Sequence, residues 1–144
     1  KSSRLYRRLV DQGLALDVEA NTDMRYDLSL HQIYASLAPG ITHAAVEAAI
    51  LEEIAKVQTA GVTQVEVDRD QQQTLAYLAF RRDGTFRIAS ELNEWIAVGD
   101  WTLYQRFPEE LAKVTPADVE RVAQTYLNED QSTTGWFVPV GATK

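Results

Sequence analysis

His31 and His43 are the only imidazoles in this 144-residue chain, and no cysteine accompanies them. Metal-assisted hydrolysis needs two or three nitrogen or carboxylate ligands converging on one ion. Two His at i, i+4 on a helix supply this because both rings leave the same face. No such pair is present. His43 has Glu47 four residues on, formally ligand spacing. In the first turn of a helix, however, that pattern ordinarily means a surface His beside a solvated Glu. His31 falls on the strand face that also carries Asp27 and Ser29 and is expected to be exposed. Ser2, Ser3 and the run Ser132, Thr133, Thr134 offer hydroxyls, but no Gly-x-Ser-x-Gly elbow or neighbouring His activates one, so caps and turns are their expected role. The carboxylate pairs Glu52 with Glu53, Glu91 with Glu94 and Glu109 with Glu110 lie on amphipathic stretches, where paired acids usually form solvated faces. Glu91 and Glu94 flank an apolar stripe, which singles them out for structural scrutiny. Trp95, Trp101, Tyr104, Phe107 and Trp136 could line a peptide groove, although core packing is the commoner use of such rings. The chain is thus expected to carry no catalytic residue and no metal ligand.

The elements around these residues follow from periodicity. Leu5, Tyr6 and Leu9 fall at helical spacing between a Ser2 or Ser3 cap and a Gly13 stop. Leu14, Leu16, Val18 and Ala20 then alternate with Ala15, Asp17 and Glu19, which predicts a strand with one face on a core. Asn21 to Asp23 carry turn chemistry, and the alternation resumes at Tyr26, Leu28 and Leu30 toward Leu37, completing an antiparallel hairpin. After Pro39-Gly40, Thr42 caps a helix whose Val46, Ile50, Ile54 and Val57 share a face up to Gly61. Thr63 and Glu66 form a capping box for a helix that runs through Leu75, Leu78 and Ala79 to about Arg82. Beyond the Asp83-Gly84 break, Phe86, Ile88, Ala89, Leu92, Trp95 and Ile96 mark the apolar stripe of a third helix. A shorter helix spans about Leu103 to Leu111, with Pro108 at its start or at a kink. Thr115 as N-cap, Pro116 at N1 and Asp118 in the first turn give a clear helix start, with Val114 stapled on Val119 and Val119, Val122, Ala123 and Tyr126 as the buried face. Trp136, Phe137 and Val138 predict a final short strand ended by Pro139.

The fold class expected is α+β: an antiparallel sheet with several helices packed on one face. Two or three strands are few for so many helices, so further strands of the same sheet are expected before residue 1. No repeat or Pro/Gly-rich linker divides the chain, and residues 1–144 are read as a single domain. A chain of this length buries roughly 68–70% of its unfolded surface, enough for a conventional core. Fourteen Lys and Arg against 21 Asp and Glu give a net charge of -7. A field of that sign repels phosphate backbones and anionic lipid, so nucleic acid is not an expected partner. No apolar run approaches the roughly 18 residues of a membrane span, and the N-terminus lacks the pattern of a signal peptide. A soluble chain of cytoplasm or periplasm is expected, the absence of cysteine leaving the compartment open.

The segments SSRLYRRLVDQGLALDVEA, PG, GVTQVEV, DGTFRIASELNEW, VTPADVERVAQTYL and GWFVPV, in this order and at these intervals, resemble the C-terminal part of a non-zinc domain of the pitrilysin/insulinase family of zinc metallopeptidases. The resemblance covers Ser2 to Pro139. It implies repeated α+β domains closing around a chamber, one of which carries His-x-x-Glu-His; that motif is not in this chain. In many members an Arg and a Tyr of this region bind substrate backbone. The corresponding positions here are Val10 and Leu16, so the pair is lost and neither is carried over as a substrate ligand. The resemblance implies a non-catalytic substrate-chamber domain, with zinc held elsewhere in the parent chain or in a partner subunit, a peptide as substrate, and strand Leu14 to Ala20 lining the chamber. The competing expectations are a zinc-free assembly subunit and a generic acidic interaction domain.

Overall fold

The structure, a computed structural model, describes residues 3–81, 84–139 and 141. The cap role assigned to Ser2, the helix end at Arg82 and the turn residue Asp83 lie outside the described residues. The architecture is α+β. A short opening helix with a π turn (Tyr6–Val10) leads into strands β1 (Ala15–Thr22) and β2 (His31–Leu37). Helices α1 (His43–Ala60), α2 (Gln64–Arg81), α3 (Thr85–Ala97), α4 (Leu103–Leu111) and α5 (Pro116–Tyr126) follow, with a 3-10 turn at Glu129–Gln131. The backbone bonds Asp23 N to Leu30 O at 3.3 Å and Ala38 N to Leu14 O at 3.1 Å flank the strand pair in antiparallel register. The chain divides into two compact units. One comprises the residues up to Glu19, Ile33–Ala60 and those from Arg121 on; the other comprises Ala20–Gln32 and Gly61–Glu120.

In the first unit the core is Leu9, Ala15, Val46 and Ala49, with Leu5, Leu14, Val18, Ala35, Leu37, Ile41 and Ile50 packed around it. Leu9 is fully buried, which contributes on the order of 2 kcal/mol. The opening helix departs from α geometry: Asp11 N bonds Tyr6 O at 3.2 Å and Leu14 N bonds Leu9 O at 2.8 Å, both five-residue steps. Gly13, at φ 72°, then turns the chain into β1. Thr42 Oγ1 accepts the amide of Ala45 at 3.3 Å as the expected cap of α1. The carboxamide of Gln58 donates to the carbonyls of Ala123 at 3.2 Å and Leu127 at 2.6 Å, and that of Gln124 donates to the carbonyl of Gln58 at 2.6 Å.

In the second unit both predicted helix starts form. Thr63 N donates to Glu66 Oε2 at 2.8 Å while Glu66 N donates to Thr63 Oγ1 at 3.3 Å. Thr115 N donates to Asp118 Oδ2 at 3.1 Å while Asp118 N donates to Thr115 Oγ1 at 3.3 Å. Each box answers amides that the first helical turn leaves open. Gln71 closes the end of α4 by donating Nε2 to the carbonyls of Leu111 at 2.8 Å and Val114 at 3.1 Å. Pro108 sits inside α4.

Several expectations are corrected. In β1 the buried residue is Ala15, and Leu16 is 65% exposed, although Leu14 and Val18 pack on the core and Asp17 and Glu19 are exposed as the alternation predicts. The second strand begins at His31, not Tyr26; Tyr26, Leu28 and Leu30 stand exposed in the connection. Among the described residues Trp136, Phe137 and Val138 form no strand, and the sheet is β1 and β2 alone. On α3 the buried residues are Glu91 and Trp95, whereas Phe86, Ile88, Ala89 and Ile96 are exposed. On α5 Ala123 is buried, but Val122 and Tyr126 are exposed. Periodicity locates an apolar stripe without saying which part of it packs.

Candidate functional site

The region to which a peptide-binding role was tied is the junction of the opening helix and β1. Leu9 anchors it, and Val10, half-buried, closes the π turn. Three residues past Gly13, Leu16 projects from β1 into solvent. Neither side chain offers a polar atom, so the junction presents backbone and apolar surface rather than a cation and a phenol. Each strand of the two-stranded sheet has one edge unpaired among the described residues. Such an edge is a row of donors and acceptors at the spacing of an extended peptide.

The histidines are held apart in separate roles. His31 Nδ1 lies 2.8 Å from Thr22 Oγ1, a cross-strand contact on the exposed sheet face; Asp27 and Ser29 belong to the connection and do not share its strand. His43, half-buried, has Nε2 3.2 Å from the carbonyl oxygen of Phe137 and stacks on Trp136, with ring centroids 5.4 Å apart and planes at 23°. This contact ties the segment at Trp136 and Phe137 to the start of α1 and was invisible in the sequence. Among the described residues no group of three or more His, Asp or Glu could hold a metal ion.

Hydroxyls act as structural groups. Ser3 Oγ accepts the amide of Tyr6 at 3.3 Å, and Ser132 Oγ donates to the carbonyl of Glu129 at 3.0 Å. Of the carboxylate pairs, Glu52 and Glu53 are engaged in ion pairs. Glu52 meets Lys56 at 2.9 Å and Arg8 at 3.0 Å, and Glu53 meets Lys56 at 2.7 Å. The hydrogen bond from Lys56, then that from Arg8, holds the Glu52 carboxyl below the usual glutamate range. Glu110 is likewise lowered, chiefly by the hydrogen bond from Lys113, while Glu109 is exposed. Neither pair is arranged to share a proton.

Glu91 and Glu94 separate. Glu94 is exposed, whereas Glu91 is 3% exposed, and its Oε2 has no hydrogen-bond partner among the described residues. One turn on, Trp95 is buried and packs on Phe107 of α4 with centroids 5.2 Å apart. Trp95 and Phe107 are therefore packing residues, while Trp101 is exposed and Tyr104 half-buried.

A profile of the family described as the peptidase M16 inactive domain matches residues 1–74. Among solved structures, a protein from Bordetella pertussis Tohama I assigned as a zinc protease superposes with a TM-score of 0.84 at 28% identity, covering 96% of this chain and 77% of that one. The inactive peptidase domain of a protein from Bordetella parapertussis, also assigned as a zinc protease, gives a TM-score of 0.87 at 26% identity over 99% of this chain and 76% of that one. A protease from Helicobacter pylori shares the fold, with a TM-score of 0.84 at 23% identity over 91% of this chain and 32% of that one. No curated protein sequence matches the chain.

Proposed function

The chain belongs to the peptidase M16 family as an inactive domain, and from that premise we propose that it walls the substrate chamber of a zinc metallopeptidase. The zinc ion and its His-x-x-Glu-His helix belong to another domain, of the same polypeptide or of a partner subunit. The observation that carries this reading is the likeness of nearly the whole chain to a structure described as an inactive peptidase domain. Among the described residues the histidines do not fit zinc: His31 and His43 serve Thr22 and the segment at Trp136, with no group of three ligands around either. On this reading the chemistry is supplied by the zinc-bearing domain, and the contribution of this chain is shape and backbone pairing.

Within that role, β1 is the element that receives the peptide. Its free edge offers backbone donors and acceptors, and Leu16 adds an apolar contact where a substrate side chain would lie. The test has two parts. Purified alone, the chain is expected to bind no stoichiometric zinc and to cleave no peptide; zinc-dependent hydrolysis by the isolated chain overturns the assignment. In the complete parent protein, a photo-crosslinker placed at Leu16 should capture a peptide substrate. Capture only by probes far from β1 removes this strand from the chamber. A parent assembly with no His-x-x-Glu-His in any chain would instead mark a zinc-free assembly subunit.

A further inference from the structure

Helix α2 has two unlike halves. The first, from Gln64 to Asp70, carries Glu66, Asp68 and Asp70 against Arg69. The second contains Leu75, Ala76, Tyr77, Leu78, Ala79 and Phe80 in succession, and the sequence then turns basic, with Arg81, Arg82 and Arg87 against Asp83. An apolar run longer than one helical turn is apolar on every side. Its packed side is the row Val67, Gln71, Thr74 and Leu78, in which Val67 is buried and the other three are half-buried. On the opposite side Leu75, Ala76, Ala79 and Phe80 are all exposed, Phe80 by 80%. Phe86, in the first turn of α3, is 82% exposed. A helix that is apolar all round is ordinarily covered all round, and exposed runs of consecutive apolar residues mark either a fault or an interface.

We propose that the outer face of α2 pairs with the same face of a second copy of this chain, the two helices running antiparallel about a two-fold axis. Charge selects this occupant. With the axis through the apolar half, the acidic start of α2 in one copy lies beside the basic end in the other, and the match occurs twice. The order acid, apolar, base along one segment is thus complementary to itself when reversed, although the net charge of the chain is -7. A partner of uniformly acidic or uniformly basic surface would meet one matching end and one repelling end. Area sets the strength. Phe80 and Phe86, each exposed by about four fifths, offer roughly 250–400 Å² per copy. With Leu75 and the alanines, two copies bury on the order of 1,000 Å², the low end for a specific interface, which fits a dimer that dissociates at micromolar concentration. The proposal draws nothing from β1, so its failure leaves the crosslinking result at Leu16 standing, and the reverse also holds.

Sedimentation equilibrium of the 144-residue chain across the micromolar range tests the proposal and should show a monomer–dimer equilibrium. Phe80→Gln should raise the dissociation constant at least tenfold, because each copy loses the burial of one phenylalanine ring. Asp70, exposed in the acidic half, supplies the second variant. Asp70→Lys sets a cation beside the basic end of the other copy and should raise the constant about two- to tenfold, the worth of two exposed charge pairs. Glu109→Lys makes the same change of charge on α4, outside the face, and should leave the constant unaltered. All three positions are exposed, and far-UV circular dichroism checks that each variant keeps the helix content of wild type. A chain that stays monomeric throughout the range, or a Phe80→Gln variant that dimerises as wild type does, overturns the proposal. Equal effects of Asp70→Lys and Glu109→Lys overturn the antiparallel pairing. A monomeric chain whose Phe80 is protected only in the complete parent protein gives this face to another domain and likewise overturns the second copy as its occupant.

Discussion

Glu91 is a carboxylate placed where a hydrocarbon should be more stable. It is 3% exposed on the packed face of α3, its Oε2 has no hydrogen-bond partner among the described residues, and Trp95 occupies the next turn. A buried polar atom left without a partner costs about 1–3 kcal/mol. Glu91→Met removes that atom while keeping an unbranched side chain of similar length, so no large cavity opens. The two residues have nearly equal helix propensity, so the backbone is indifferent to the change. The variant is therefore expected to gain about 1–3 kcal/mol. For a chain of this size that is a rise in melting temperature of about 3–9 °C. Urea unfolding followed by far-UV circular dichroism measures the free energy, and the slope of its denaturant dependence should stay constant. Glu109→Met, an exposed carboxylate on α4, serves as the reference and should lie within about 0.5 kcal/mol of wild type. A loss of stability in Glu91→Met, or a gain no larger than that of Glu109→Met, refutes the claim that the Oε2 atom is an uncompensated burden.

Three further outcomes are expected. Thr115→Ala removes the N-cap hydroxyl of α5 and should cost about 1 kcal/mol; unchanged thermal melting would mean that Asp118 satisfies the first turn unaided. His43→Ala removes the stack on Trp136, worth about 0.5–1.5 kcal/mol, so chymotrypsin should cut the chain after Trp136 or Phe137 faster than in wild type, and an identical cleavage rate would show that the segment is held by other contacts. The lowered Glu52 carboxyl contributes stability above the ordinary glutamate pKa, which is lost as pH falls through its lower folded-state value; its NMR titration midpoint should sit below that of a free glutamate and move up in Lys56→Gln, and no movement would remove Lys56 as the cause.

Features set by a few adjacent residues were legible in the chain. Thr63 with Glu66 and Thr115 with Asp118 announce helix starts because the donor and acceptor lie within one turn of each other. The stop at Gly61, φ 65°, is equally local. Matters of phase and partnership were not. Ala15 is buried and Leu16 exposed although Leu14 and Val18 pack on the core, a difference that the alternation along β1 does not record. Phe86 and Ile96 read as core although the packed edge of α3 runs through Glu91 and Trp95. An apolar face looks the same whether it meets its own chain or a neighbouring domain. At the candidate site, the loss of an Arg and a Tyr at Val10 and Leu16 was readable, whereas the cluster of Arg7, Arg8 and Lys56 joins two helices far apart in sequence. The same distance hid the contact of His43 with Phe137.

The carboxamide of Gln58 has a consequence for how the molecule opens. It takes up carbonyls at the end of α5 that would otherwise face water, and Gln124 answers through the main chain of Gln58. Helix ends usually fray first, exchanging their amide hydrogens at little cost in free energy. Here the last turn of α5 is fastened to the last turn of α1, so it loosens only when the bond to α1 is also given up. The amides of Leu127 and its neighbours belong kinetically with α1, and the C-terminal turn behaves as part of a cooperative unit whose other half was laid down some seventy residues earlier in the chain.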